Sequence, residues 1–317
     1  MYELVIIGGG PAAVAAGVYA ARKQIKTLLI TETFGGQSIV SNDIQNWIGT
    51  KNISGLELAQ NLEAHLRAQE GIEVMDGELV SKIEKVGEAP KGHFKIETKS
   101  GKSFEAKTIL ATSGSRRRRL SIPGEDKYDG KGVVFCSTCD APLFKNKTVA
   151  IVGGGNAGLE AAVDSIPYAS KIYMIIRSEI LKGDAVTQEK VKNHPKVTML
   201  YNAISSEVVG NDKFVTGLKY KDAKTAEEKQ LTVDGVFVEI GSLPNSDFIK
   251  GIAELNAIGE VIVDHKTQAS SQPGIWAAGD VSDVIYKQNN VSAGDAVKAI
   301  LNIYEYLHKS NNFQAHE

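Results

Sequence analysis

The sequence predicts an α/β protein made of two three-layer domains, the second inserted into the first. Three observations lead there. A strand, a glycine loop and a small-residue helix follow one another twice, the loops starting at Gly8 and Gly153, about 145 residues apart. A further apolar strand ending in Gly-Asp, Gly274–Val281, lies near the far end, as though the chain returns to its first sheet. Between these, Ile72 to Ala111 alternates in short runs that read as strands.

Tyr2–Ile7 is a short apolar run of the kind buried in a parallel sheet. It leads into Gly8-Gly9-Gly10-Pro11-Ala12-Ala13 and a helix running to about Arg22. In this G-x-G-x-x-A pattern, Gly8 and Gly10 let the backbone turn tightly against a pyrophosphate. Ala13 permits close helix–strand packing, and the helix start faces the phosphates. The next strand, Thr27–Ile30, ends at Thr31-Glu32, and Glu32 is placed to take a ribose hydroxyl. Lys147–Val152, Gly153-Gly154-Gly155-Asn156-Ala157-Gly158, a helix from Leu159 and a strand Lys171–Ile176 repeat the arrangement. Both domains are therefore expected to be dinucleotide-binding and Rossmann-like. One dinucleotide would serve as a permanently bound relay, the other as a diffusible donor.

The chain holds two cysteines, Cys136 and Cys139, followed directly by Asp140. Two thiols at this spacing close a small ring reversibly, and Asp140 can shuttle the proton that thiol–disulfide exchange needs. A zinc site would need four ligands, and the six His residues show no ligand spacing. A helix start at about Asp140 would favour the thiolates. A single cysteine pair with no leader-like segment suits a catalytic role in a reducing cytoplasm. The net charge of −2 points to no nucleic acid, and no apolar run is long enough to span a membrane.

Elsewhere the pattern predicts a helix from Gly55 to about Glu70 with Leu58, Leu62 and Leu66 on one face. The β-meander that follows has turns at Gly87–Gly92 and Lys99–Lys102. Arg116 to Arg119 reads as a solvated linker where the chain crosses between domains, rather than as a docking patch. Later strands are expected at Lys196–Tyr201, Phe214–Tyr220 and Gly235–Ile240, with Ile240–Asn245 as the return linker. Gly279 and Asp280 end the last strand, where the carboxylate can meet a ribityl or ribose hydroxyl. A helix follows from Ser292 to about Leu307.

The order GxGxxA, CxxCD, GxGxxG and GxxAAGDV resembles the low-molecular-weight thioredoxin reductases and the flavoprotein part of alkyl hydroperoxide reductase, over Met1 to about Leu307. Phe34-Gly35-Gly36-Gln37, Pro123-Gly124-Glu125-Asp126 and Tyr286-Lys287-Gln288 are most similar to the second branch. That branch carries an extra N-terminal thioredoxin-like region, so this chain is expected to use a separate carrier. The resemblance implies an FAD domain, 1–115 and 245–317, around an NAD(P)H domain, 116–244. It puts FAD on Gly8, Gly10, Pro11, Ala12 and Ala13, beside Gly36, Gln37 and Asn46, with Asp280, Lys287 and Gln288 on the far side. It puts the nicotinamide cofactor on Gly153, Gly155, Asn156, Ala157 and Gly158.

The same resemblance implies that Cys139 sits against the flavin, that Cys136 exchanges with a thioredoxin-like disulfide carrier, and that Asp140 donates the proton. It also implies a homodimer, with hinges near Gly114–Leu120 and Ile240–Asn245. Members that use NADPH carry an arginine-rich stretch after the second strand of the donor domain, and here Arg177, Ser178 and Lys182 stand in its place, with Glu179 close by. NADPH and NADH thus both stay open. The expected activity is NAD(P)H-dependent disulfide reduction. The alternatives are ferredoxin-dependent reduction, a flavin-dependent dithiol oxidase and a non-enzymatic flavin-binding or sensing module. Two smaller departures are Ser113 within Ala111-Thr112-Ser113-Gly114 and Asn289 after Gln288.

Overall fold

A computed structural model describes residues 1–41, 44–87 and 92–314. The chain opens with β1 (Tyr2–Ile7), α1 (Pro11–Arg22), β2 (Thr27–Ile30), α2 (Gly55–Arg67), β3 (Ile72–Met75), β4 (Val80–Val86), β5 (His93–Thr98), β6 (Ser103–Ala111) and β7 (Ser115–Arg117). Next come β8 (Val133–Val134), α3 (Ser137–Asp140), β9 (Thr148–Val152), α4 (Asn156–Ser165), β10 (Lys171–Ile176), α5 (Ala185–Lys192) and β11 (Val197–Tyr201). The rest is β12 (Ala203–Gly210), β13 (Val215–Asp222), β14 (Glu228–Thr232), β15 (Gly235–Val238), β16 (Ser242–Pro244), β17 (Ile275–Ala277) and α6 (Asn289–Gln314). Two compact units result, Met1–Arg116 with Leu243–Glu317, and Arg117–Ser242. The short strands at the two crossings, β7 and β16, pair with each other.

In the first unit β3, β2, β1, β6 and β17 form a parallel sheet. Alternation along β1 shows why its sequence is apolar from Leu4 to Ile7. Leu4 and Ile6 pack with α1 and α6, while Val5 and Ile7 pack on the opposite face with Phe248, Ile249 and the meander. Each such side chain contributes about 1.5–3 kcal/mol by leaving water. The first residues of β6 pair antiparallel with β5, and Ala106 to Ala111 continue as a central parallel strand beside β1. The expected turn at Gly87–Gly92 falls largely outside the described residues.

The second unit repeats the plan. Its parallel sheet runs β11, β10, β9, β15, β8, with Val149 and Ile151 facing the α4 side. Ala150 and Val152 face the antiparallel β12–β13–β14 sheet. Strands β2 and β10 match their expected bounds residue for residue. Other boundaries moved. The helix behind the second glycine loop begins at Asn156 rather than Leu159, because Gly155, in extended conformation, already serves as its N-cap. The last helix starts at Asn289, three residues before Ser292, and continues through Gln314. The turn behind the dithiol starts at Ser137, with Cys136 as N-cap, so Asp140 ends the α-helical turn instead of opening it.

Candidate active site

In the first unit, Gly8 ends β1 at φ +133, and a Cβ there would lie 2.3 Å from the Thr112 carbonyl oxygen. Only glycine fits that close approach in that conformation. Gly10 is the N-cap of α1 and Pro11 its first residue. No side chain caps the helix and its first turn holds no acid, so its leading amides stay open to an anion. The two ordinary helices differ: α2 is capped by Ser54 and α5 by Asp184. Ala12 and Ala13 are buried against the sheet side, and Gly36 lies across from Gly10, its Cβ position 3.5 Å from the Gly10 Cα. Two bare backbones thus face each other, a cradle that any side chain would narrow.

Around this cradle the remaining residues are drawn together from distant parts of the sequence. Gln37 Nε2 donates to Ser115 Oγ at 3.2 Å and to Asp280 Oδ2 at 3.4 Å. Asn46 Nδ2 donates to Gln288 Oε1 at 3.2 Å. Gly279, at φ +74, lets the turn bearing Asp280 pass close to Ser292. Glu32 is exposed after β2 and lines a cleft of about 540 Å³ with Thr33, Phe34, Leu56, Ala59 and Gly77. Lys287 is turned inward. Its Nζ donates to the Ser282 carbonyl at 2.6 Å and pairs with Glu260 at 2.8 Å, so it braces the Asp280–Ser282 turn. Both departures noted in the sequence have local partners. Ser113 Oγ donates to the Asn245 carbonyl at 2.7 Å, and Asn289 Nδ2 donates to Ser38 Oγ at 2.9 Å.

The second unit presents a matching loop. Gly153, at φ +150, is pressed on the Glu239 carbonyl oxygen, 2.2 Å from where a Cβ would sit. Gly158 packs on Gly153 in the same way, at 2.4 Å, whereas a Cβ on Gly155 would meet open space. Helix α4, like α1, has no side-chain cap and no acid in its first turn. Asn156 Oδ1 accepts from the Asp184 amide at 2.7 Å, and Ala157 is exposed beside it. At the end of β10, Arg177 and Lys182 are exposed, and the Lys182 amide donates to the Gly154 carbonyl at 2.7 Å. Ser178 Oγ is occupied by the Ile180 carbonyl, and Glu179 forms an ion pair with Lys224.

The dithiol lies in this second unit. Cys136 and Cys139 are joined as a disulfide with Cα atoms 5.3 Å apart, and both are half-buried. Ser137 Oγ donates to Asp164 at 2.8 Å and Thr138 Oγ1 at 3.3 Å, which fixes the turn to α4. Burial pushes the half-buried Asp140 carboxyl up to about 6, while the Arg117 guanidinium and the Cys136 amide pull it down. The arginine run is therefore more than a solvated linker. Arg116 donates to Asn245 Oδ1 at 2.9 Å, Arg117 faces Asp140, and Arg119 pairs with Asp126 and Asp129 and lies over the Phe135 ring. Such contacts hold because carboxylates and an amide oxygen converge on the run from three later segments, which a charge count does not reveal.

Glu239 was not among the residues expected from the sequence. It follows β15 directly and is 8% exposed, and burial raises its carboxyl to about 8, with Arg117 and the Ser137 amide opposing and Asp140 and Asp164 adding to the rise. A lone carboxylate directly after the apolar run Gly235–Val238 was the available signal.

The family described as pyridine nucleotide-disulphide oxidoreductase matches residues 2–298 of this chain. The chain belongs to that family. An alkyl hydroperoxide reductase subunit of Pseudomonas putida is 41% identical over 306 residues, 96% of this chain and 58% of that protein. A Bacillus subtilis protein named NADH dehydrogenase is 39% identical over the same share of this chain and 58% of its own length. The chain thus spans under three-fifths of the length of these curated relatives. The crystal structure of thioredoxin reductase from Streptococcus pyogenes superposes with a TM-score of 0.89 at 31% identity, covering 98% of this chain and 99% of that one. The fold is the two-domain Rossmann-like fold of the low-molecular-weight thioredoxin reductases. Membership in the pyridine nucleotide-disulphide oxidoreductases implies FAD and a pyridine nucleotide. The bare-backbone cradle at Gly10 and Gly36, the open face of Gly155 and the two uncapped helices fit phosphate-bearing groups of that kind.

Proposed function

We propose that this chain is a flavoprotein disulfide reductase. It would pass electrons from NAD(P)H through FAD and Cys136–Cys139 to a small thioredoxin-like disulfide carrier. The observation that carries the reading is the Cys136–Cys139 disulfide on a turn whose next residue, Asp140, has its carboxyl raised toward neutrality. FAD is assigned to the first unit, on Gly8, Gly10, Pro11, Ala12, Ala13, Gly36, Gln37, Asn46, Asp280 and Gln288, and the pyridine nucleotide to the second, on Gly153 to Gly158. When bound, these groups supply the two electrons that open the disulfide.

This chain's own residues do the rest. Opening the S–S bond leaves two sulfur anions, and two protons complete the dithiol. Cys136 sulfur attacks the carrier disulfide, the first carrier sulfur departs, and Asp140 gives it a proton. Cys139 sulfur then attacks Cys136, which re-forms the ring and releases the second carrier sulfur. Arg177 and Lys182, exposed at the end of β10 while Lys224 neutralises Glu179, favour NADPH over NADH. The 41% identity to an alkyl hydroperoxide reductase subunit favours a carrier that serves a hydroperoxide-reducing partner. A single redox pair suits a reducing cytoplasm, and we assign a homodimer, which size-exclusion chromatography with light scattering tests. Among the described residues no helix is long and apolar enough to cross a membrane.

The experiment is an anaerobic titration of the yellow protein with NADPH and NADH in separate cuvettes, followed by addition of oxidised thioredoxin. Bleaching of the flavin by either nucleotide and its recovery on adding the disulfide carry the reading. Bleaching by dithionite alone would replace it with a ferredoxin-linked reductase.

A further inference from the structure

The two units place one residue in the same slot with different chemistry. In the first, Thr112 follows β6, its amide donates to the Ile7 carbonyl at 2.9 Å, and its carbonyl oxygen presses on Gly8. In the second, Glu239 follows β15, its amide donates to the Val152 carbonyl at 2.8 Å, and its carbonyl oxygen presses on Gly153. Thr112 satisfies its own hydroxyl on the Ile7 carbonyl. Glu239 puts a carboxyl into that position, and its Oε1 is buried with no hydrogen-bond partner among the described residues.

We infer that Glu239 is a positioning residue for the dithiol, acting through Asp140: it stores the proton that Asp140 delivers when a sulfur leaves. The inference rests on the disulfide-reductase reading and deepens it. The groups facing Glu239 are Arg117 from the linker side, Asp140 and the Ser137 amide from the dithiol turn, and Asp164 from α4. Burial penalises a charge there and the Asp140 carboxylate close by adds to the penalty, so Glu239 gives up its proton after Asp140. Asp140, raised to about 6, is mostly ionised at neutral pH, while Glu239, raised to about 8, keeps its proton. The proton balance of the exchange then closes locally. At the first exchange Glu239 passes its proton to the ionised Asp140, which gives it to the departing carrier sulfur; the proton that the Cys136 thiol sheds on attack returns to Glu239, and the proton of the Cys139 thiol goes to the second carrier sulfur.

The test uses the whole FAD-loaded protein and two readouts. In infrared difference spectra, a protonated carboxylic-acid carbonyl band is expected at neutral pH, lost with a midpoint near pH 8 and absent in Glu239→Gln. Asp140→Asn removes a negative neighbour and lowers that midpoint by about one pH unit. In turnover, with an alkyl disulfide, oxidised thioredoxin, whose departing sulfur must take up a proton, Glu239→Gln slows reduction about tenfold at neutral pH and abolishes the decline through pH 8 expected of the wild type. The absence of a titrating band, a midpoint indifferent to Asp140→Asn, or a wild-type pH profile in Glu239→Gln would each overturn the assignment of Glu239. A wild-type protein that reduces no disulfide would instead overturn the functional reading.

Discussion

The two glycine loops are near copies in backbone and unlike in surroundings. Each follows a buried parallel strand, begins with a left-handed glycine jammed against a carbonyl, and opens an uncapped helix. In the first, α1 is sealed on its far side by α6, and Ala13 fills the third position of the motif. In the second, that position is Gly158, where a Cβ would lie 2.4 Å from the Gly153 carbonyl oxygen. The first loop is surrounded mainly by amides and hydroxyls, Gln37, Ser115, Asn46 and Gln288, with the Asp280 carboxylate accepting from Gln37. The second is backed by Glu239, which also faces the dithiol turn. A shared backbone geometry, open to an anion at each uncapped helix, therefore leaves the neighbouring side chains free to specialise, and the second unit places titratable carboxyls beside the disulfide.

The sharpest way to break the comparison is to remove the sulfur. Cys136→Ser or Cys139→Ser should lower carrier reduction by about a thousandfold or more while flavin bleaching by the nucleotide persists, measured by stopped flow. The glycines come next. Gly8→Ala forces a Cβ into the Thr112 carbonyl and should yield colourless protein, whereas Gly153→Ala should keep the yellow colour and lose its response to nucleotide. Each such clash costs about 2–4 kcal/mol, read from flavin content and nucleotide affinity.

The pH dependence sharpens the contrast further. Glu239 binds its proton more tightly in the folded chain, about 8 against 4.5, so its contribution is complete at low pH and is lost as pH climbs through that window. Glu239→Gln should therefore match the wild type in melting temperature near pH 4.5 and exceed it by about 3 °C or more above pH 8. Smaller still, Lys182→Ala should weaken NADPH about tenfold in KM and leave NADH nearly unchanged. The smallest change expected is Asn289→Ala, which removes the bond to Ser38 and costs about 1 kcal/mol in chemical denaturation.

Most of the frame could be read from residue order because local rules dominate there. Buried parallel strands are apolar on both faces, so Thr27–Ile30 and Lys171–Ile176 announce themselves, and glycines before small-residue helices mark the loops between. What stayed hidden depends on partners far away in sequence. The two-residue strand β8 exists because β15 offers it an edge, and β12 and β14 because they flank β13. Gln37 meets Asp280 across 243 positions, which no window along the chain detects. Lys287 carries the expected charge yet points inward to Glu260 and the Ser282 carbonyl. Glu239 was legible only as an oddity, because the value of a buried acid is set by what encloses it.

The paired crossings β7 and β16 carry a consequence for biosynthesis. Residues Met1–Arg116 leave the ribosome before β17 and α6 exist, so the sheet edge beside β6 and the outer face of α1 wait uncovered. Arg117–Ser242, by contrast, is continuous and can close its core on emerging. The inserted unit is thus free to mature first, although it is translated second, and the early segment passes through a nascent stage in which its apolar surface is the natural target of chaperones.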